Sequence, residues 1–528
     1  MLALEAADAI VAPSSPDAYG AVAHRLADAL YRSGRPHRAR DTLMTAIGAL
    51  PGGDARLSPL QDLLALIHSD LQEDERSARI LRAVTTGAPS VAPSTTEQLA
   101  HRLFLVTRSA DSQDTAAVAA ELARFANADD PEQRAVGLVG AAMSAFAARD
   151  IPAARALAEQ ALDLSRADVV WGAASREAVR ACFLLGDLRA VRTILTEDEA
   201  RAHRMGPLAV EASHRSSNGL LDLLAGDVSA ALKRADAGLR LARRSATARV
   251  ITRCLLASAL VGAEVGATDE ATAALAEAQR TGSSPLHADV RLSRTSDCVR
   301  ALLYLGHQAT SAPDTAAVPR VEVDWFVLTM HPLLTGRVAV ATDRLDHART
   351  EEDYLRAFGA PAVVPVALAE RLAGLRAIRA DDPRAGHVEE RQAGGALERV
   401  GLRLLAAQVR VEGAEAAVAA SLPVARGEPQ ELVAFFDERG VRPWAYRARR
   451  VARALGVRVP GPRTGGGALT ARETEVARLA AAGHSNAQIA QALFLSERTV
   501  ETHLRHIYAR LGLDTRVALA RFFDGLTR

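Results

Sequence analysis

The feature that most constrains this chain is a spacing. A glycine or polar residue suited to ending a helix is followed five positions on by a small residue, and usually by another at twelve. Gly34 leads to Ala39 and Ala46, Glu73 to Ala78 and Thr85, and Asp111 to Ala116 and Ala123. Arg149 leads to Ala154 and Ala161, Gly226 to Ala231 and Gly238, Gly266 to Ala271 and Ala278, and Gly336 to Ala341 and Ala348. Gly186 keeps the turn but has Val191 and Asp198 at those offsets. From Gly34 to Gly266 the anchors recur every 37 to 40 residues. A turn that ends one helix, with small side chains on the next, lets the two backbones approach closely, and neighbouring pairs can then stack. No sustained period-two alternation points to strands. The spacing therefore predicts repeated helix pairs.

Composition agrees, with 49% hydrophobic but only 4% aromatic residues. Alanine, leucine and valine must fill the interior, which favours closely packed helices over sheets. The pattern resembles tetratricopeptide repeats with a period longer than their roughly 34 residues. That resemblance implies a superhelix with an extended concave surface for a peptide, a protein or a small ligand. The register fades after Gly306, where Thr310 to Asp314 reads as a loop. Three regions are expected: a helical array over 1–455, a Pro/Gly linker over 456–467, and a compact head over 468–528.

Several function classes are disfavoured. Cys182, Cys254 and Cys298 are far apart in apolar helical contexts, without metal or disulfide spacing, and read as buried inert thiols. The N-terminus has no basic segment of the kind a signal peptide carries, and the apolar run Ala357 to Ala369 is broken by Pro361 and Pro365. The expectation is a cytoplasmic protein with no membrane contact. No zinc-protease, nucleophile-elbow or paired-cysteine motif occurs. His484, His503 and His506 lack the cysteine or carboxylate that would complete a metal site. Glu389-Glu390 and Asp381-Asp382 read as solvated helix ends or turns, and Trp171, Trp325 and Trp444 as repeat-core or groove residues. Neither catalysis nor a cofactor is expected.

The last sixty residues carry a different signal. Thr470-Ala471-Arg472-Glu473 and Ser485-Asn486-Ala487-Gln488 are capping boxes, and Ser496 caps a third helix. The first helix turns Val476, Leu479 and Ala480 inward and stops at Gly483; the second turns in Ile489, Ala490 and Leu493. On the third, Val500, Leu504, Ile507 and Leu511 form one apolar stripe. Arg498, Glu501, Thr502 and Arg505 cluster opposite, while Thr499, His503, His506 and Arg510 lie on a flank. Such a face suits the major groove: arginine bonds phosphate or guanine, glutamate accepts from cytosine, and a threonine methyl meets thymine. Net charge is only +1, so any polyanion contact must be local. Arg439 to Arg472 holds nine arginines and no acid. It reads either as a solvated helix face or as an electrostatic contribution to DNA affinity.

Leu469 to about Leu519 is similar to the DNA-binding domain of LuxR-type transcription regulators. Matching positions include Thr470, Glu473, Val476, Gly483, Ser485, Ile489, Ser496, Thr499, Val500, His503, Leu511, Gly512 and Arg516. The resemblance implies a four-helix head whose third helix enters the major groove of double-stranded DNA. Base readers fall at Glu501, Thr502 and Arg505, and phosphate contacts at Ser496, Arg498, Thr499, His503, His506 and Arg510. A fourth helix, Asp514 to Phe523, is implied as a homodimer contact on DNA. Repeats followed by this head resemble the large ATP-binding, MalT-like regulators, but the sole lysine, Lys233, is followed by Arg234 and supplies no phosphate-binding loop. The overall expectation is an all-α, sequence-specific transcription regulator whose array receives a protein or small-molecule signal. The alternative is a repeat scaffold for protein assembly with a vestigial DNA-binding head.

Overall fold

The computed structural model describes residues 16–51, 54, 57–71, 80, 112–166, 168–205, 208–245, 247–281, 290–306, 312–313, 324–459, 471–493, 495–511, 515–516 and 519–520. Every regular element among them is a helix. The array begins with α1 (Pro16–Arg32), α2 (Pro36–Ala49), α3 (Leu57–Asp70), α4 (Ser112–Ala123), α5 (Pro131–Ala147), α6 (Ile151–Leu164), α7 (Asp168–Leu185) and α8 (Leu188–Met205). It continues through α9 (Leu208–Ala225), α10 (Val228–Ser245), α11 (Ala248–Val265), α12 (Thr268–Arg280), α13 (Val290–Leu305), α14 (Trp325–Ala341) and α15 (Leu345–Arg356). Then come α16 (Val363–Arg379), α17 (Pro383–Arg399), α18 (Arg403–Ala419), α19 (Glu428–Arg439) and α20 (Arg442–Ala454). By compactness the chain divides into residues 1–263 with 268–406, and residues 264–267 with 407–528.

One local device joins many of these helices. Arg149, Gly186, Gly226 and Asp381 adopt left-handed backbone, with φ of 63°, 81°, 88° and 65°. An aspartate follows each. Its N–H reaches back to a carbonyl of the finished helix: Asp150 to Ala145, Asp187 to Cys182, Asp227 to Asp222 and Asp382 to Ala377, at 2.8 to 2.9 Å. Its carboxylate then accepts the N–H of Ala153, Ala190, Ala230 or Ala385 at 3.0 to 3.1 Å. One aspartate thus closes a helix and caps the next.

The small residues behave as the spacing requires. Ala39, Ala46, Ala154, Ala161, Ala231, Ala271 and Ala278 are all buried. Gly238 is the tightest case, because a Cβ there would stand 2.8 Å from Ser216 Oγ and 3.2 Å from the Ala212 carbonyl on the paired helix. At the weaker copy after Gly186, Asp198 is buried instead and accepts a 2.7 Å bond from Trp171 Nε1 and another from Ser175 Oγ.

Two anchors differ from expectation. Gly336 is a buried residue inside α14, where a Cβ would meet Leu372 Cδ1 at 2.8 Å, so its constraint is helix contact and not a turn. The turn comes at Asp343, φ 61°, five residues before Ala348 and twelve before Leu355, both buried. Ala116 is exposed on α4, which buries Ala119 and Leu122 instead. The rule also outlasts Gly306: Asp381 leads to buried Gly386 and Ala393, and Gly440, φ 69°, leads to buried Ala445 and Ala452. Glu73, Ala78, Thr85, Asp111 and most of the loop from Thr310 to Asp314 lie outside the described residues.

Glu390 also departs from the sequence reading. It is fully buried on α17, because it shares the inward face of Gly386, Ala393 and Leu397. The cysteines are buried as expected, and burial pushes the Cys182 thiol up to about 12. Trp325 and Trp444 are core residues, whereas Trp171 is half-buried beside a groove. No described helix is long and apolar enough to cross a membrane.

The head contains α21 (Ala471–Ala481), α22 (Asn486–Leu493) and α23 (Glu497–Leu511). Their inward stripes converge as the sequence requires, burying Val476, Ala480, Ile489, Ala490, Val500, Leu504 and Ile507, with Leu519 added from beyond α23.

Candidate nucleic-acid interface

Each helix of the head is positioned by short-range bonds its own sequence supplies. At the end of α21, Gly483 takes φ 90° and His484 N–H bonds the Leu479 carbonyl at 3.1 Å. Ser485 and Gln488 close the second capping box in both directions, Gln488 N–H to Ser485 Oγ at 3.2 Å and Ser485 N–H to Gln488 Oε1 at 2.8 Å. Ser496 Oγ accepts the Thr499 N–H at 3.1 Å and lies 2.7 Å from the Thr499 hydroxyl. Thr470, the expected cap of α21, lies outside the described residues, but its partner Glu473 is buried.

Two arginines then tie the helices together. Arg516 donates through Nε to the Ala480 carbonyl at 3.2 Å, through Nη1 to Asn486 Oδ1 at 3.0 Å, and through Nη2 to the His484 carbonyl. A single guanidinium so spans the end of α21, the turn and the start of α22, which suits its planar array of donors. Arg472 Nη2 donates to the Leu493 carbonyl at the end of α22, while its Nη1 pairs with Glu475 at 2.8 Å. Sequence reasoning assigned neither tie. Each bridges residues twenty or more apart, beyond the reach of helical periodicity.

With its apolar stripe anchored, α23 turns the opposite face outward. Arg498, Glu501 and Arg505 are exposed there and make no ion pair among the described residues. Thr502, between them, donates its hydroxyl to the Arg498 carbonyl at 2.9 Å, which leaves the methyl as the part it presents. Thr499, His503 and His506 are half-buried on the flank, and Ser496 is exposed at the helix start. All these candidate base and phosphate residues therefore occupy one end and one side of α23. The side chains of Arg510 and Leu511, and most of the span from Asp514 to Phe523, lie outside the described residues. Two guanidinium groups seven positions apart on one helix stand about 10 Å from each other along its axis, a spacing that suits groove and backbone contacts.

The family described as bacterial regulatory proteins, luxR family, matches residues 467–523. The head is a LuxR-family DNA-binding domain. This LuxR-type head is 55% identical over 58 residues to Rv0890c of Mycobacterium tuberculosis, a protein named for an HTH-type transcriptional regulator. The stretch is 11% of this chain and 7% of that relative. It is also 47% identical over 55 residues to a nitrate/nitrite response regulator protein homolog of Haemophilus influenzae, covering 26% of it. A third relative, the oxygen regulatory protein NreC of Staphylococcus aureus, is 43% identical over 54 residues and covered over 25%. Among solved structures, the chain is similar to one from the APC/C hetero-tetramer Cut9-Hcn1, with a TM-score of 0.41 and 13% identity over 84% of this chain and 90% of that one. These curated relatives share the LuxR-type head with this chain.

Proposed function

We propose that this chain is a sequence-specific transcription regulator that binds operator DNA through α23. The observation that carries the reading is the outward face of that helix, where Arg498, Glu501 and Arg505 are exposed and make no ion pair among the described residues, on a core fixed by reciprocal caps and the Arg516 clamp. Glu501, Thr502 and Arg505 read base edges, while Ser496, Arg498, Thr499, His503, His506 and Arg510 hold phosphates. Two copies bind a two-fold site through the fourth helix. The work is binding, carried out in the cytoplasm over 468–528, with 456–467 joining the head to the array.

The array, over 1–455, receives a protein or small-molecule signal. An open groove of about 550 Å³ on α6, α7 and α8 supports that role. Its lining mixes the apolar Trp171, Leu162 and Ile194 with the exposed Asp163, Arg166 and Glu197, which offers both apolar and charged contacts.

Selection of bound sequences from random duplex DNA by the full chain tests the DNA reading. A two-fold consensus is the expected result. Absence of enrichment, with no duplex binding even at low salt, would transfer the reading to a protein-assembly scaffold.

A further inference from the structure

The arginines before the head fall into two groups. Arg447 pairs with Glu412 and Glu415, Arg449 with Asp437, and Arg439 with Glu438. These cations serve the packing of α18, α19 and α20. Arg450, Arg453 and Arg458 do not. All three are exposed, and no carboxylate lies within ion-pair distance of them among the described residues. Arg450 and Arg453 are three positions apart and so neighbours on one helix face, opposite the buried Trp444, Ala445, Ala448, Val451 and Ala452. Arg458 follows shortly after the helix ends, and no acidic residue occurs from Arg439 to Arg472. Like charges clustered without counter-charge slightly destabilise a helix, so the fold itself gains little from this face.

We propose that Arg450, Arg453 and Arg458 form a second phosphate-binding patch, which holds the DNA duplex beside the site read by α23. This rests on the DNA-binding reading of the head. Two observations select DNA as the occupant. One is the sign and density of the charge, which match a polyanion. The other is continuity of chain. Only twelve residues separate Arg458 from Ala471, so the thirteen steps between them span about 45 Å at most. At 3.4 Å per step along each strand, the patch can never lie more than about thirteen base pairs from the head. The patch recognises backbone alone, so it adds affinity and footprint without adding sequence preference.

The test is the salt dependence of duplex binding by the full chain, compared between wild type and the triple variant Arg450→Gln, Arg453→Gln, Arg458→Gln. Each phosphate contact contributes about 0.9 to the slope of log affinity against log salt. The triple variant should therefore lose about two to three units of slope and bind roughly 10- to 100-fold more weakly near physiological salt. Its selected consensus should be unchanged. An equal slope and affinity in wild type and variant overturns the patch while leaving the head's DNA binding intact. Failure of the wild type to bind duplex at all overturns both readings. If the triple variant melts early by circular dichroism, the single variants Arg450→Gln and Arg453→Gln are read instead, each expected to lower the slope by about one.

Discussion

Asp222 in the array and Ile507 in the head are buried to a similar depth, yet their surroundings are opposites. Asp222 sits between Arg192 at 2.6 Å and Arg234 at 2.9 Å, and Arg234 also pairs with Glu199 at 2.6 Å. Asp198 and Glu352 are likewise buried acids held by partners from other helices. Ile507 belongs to an apolar cluster with Val476, Ile489, Val500 and Leu504. The array places charge inside, between helices that look alike. The head has a mostly apolar core, with Glu473 the buried acid among its described residues, and Arg498 and Arg505 lie on its surface with no ion pair among the described residues. A buried ion pair adds little net stability but is costly to mismatch, so it can decide which helix packs on which. An array of many helices of similar length, packed through small residues, gains from that discrimination. The head fixes the order of its helices by caps, turns and the ties made by Arg472 and Arg516.

The largest test of this contrast is Ile507→Ala. It should destabilise the head by about 3 kcal/mol, abolishing DNA binding while the helical signal of the array, read by circular dichroism, persists. Loss of both together would mean that array and head form one cooperative unit. Arg505→Ala should leave thermal stability unchanged and reduce operator affinity by roughly 1–3 kcal/mol with relaxed base preference. Unchanged affinity in an operator titration would remove Arg505 from the base-reading set. In the array, Asp381→Gly relieves a left-handed non-glycine residue and should stabilise by about 1 kcal/mol, measured by denaturant melting. A destabilised variant would show that the aspartate side chain matters more than its backbone.

The smallest effect concerns acid. Burial holds His214 below its ordinary value of 6.5, against the nearby Asp198 and Glu199, which raise it, and alongside Arg253 and Arg176, which lower it further. The unfolded chain therefore takes up a proton at higher pH than the folded one. This contribution to stability is complete above about pH 6.5 and falls as the pH drops through the lowered folded value. The array's melting temperature should decline on acidification from about pH 7 to pH 5.5, and His214→Asn should flatten that decline. An identical slope in wild type and variant would assign the acid sensitivity to other groups.

The head was legible because its determinants are local. Ser485 with Gln488, Ser496 with Thr499, and the stripe of Val500, Leu504 and Ile507 all act over three to seven residues, the distance at which helical periodicity speaks. Arg516 acts across thirty residues or more, and although it stood among the family-matching positions, no local periodicity assigned it a role. In the array, glycine turns at Gly186 and Gly226 and the exposed turn at Asp381-Asp382 were readable, whereas Asp343 takes the same left-handed backbone without the residue that usually marks it. Gly336 misled for the converse reason: glycine serves close helix contact as readily as a turn. Glu390 was misplaced because an acid on an inward face gives up its identity to the spacing around it.

The junctions of two or three residues that end in Arg149-Asp150, Gly186-Asp187, Gly226-Asp227 and Asp381-Asp382 have a bearing on how such a chain can change length. Each has no slack: one residue reverses the backbone and the next is already committed on both sides. A single inserted residue would rotate the following helix by about 100° and turn its alanines away from their partner. Viable insertions and deletions in this region are therefore expected to come as whole helix pairs, so the array lengthens by duplication of units and not by drift at its joints.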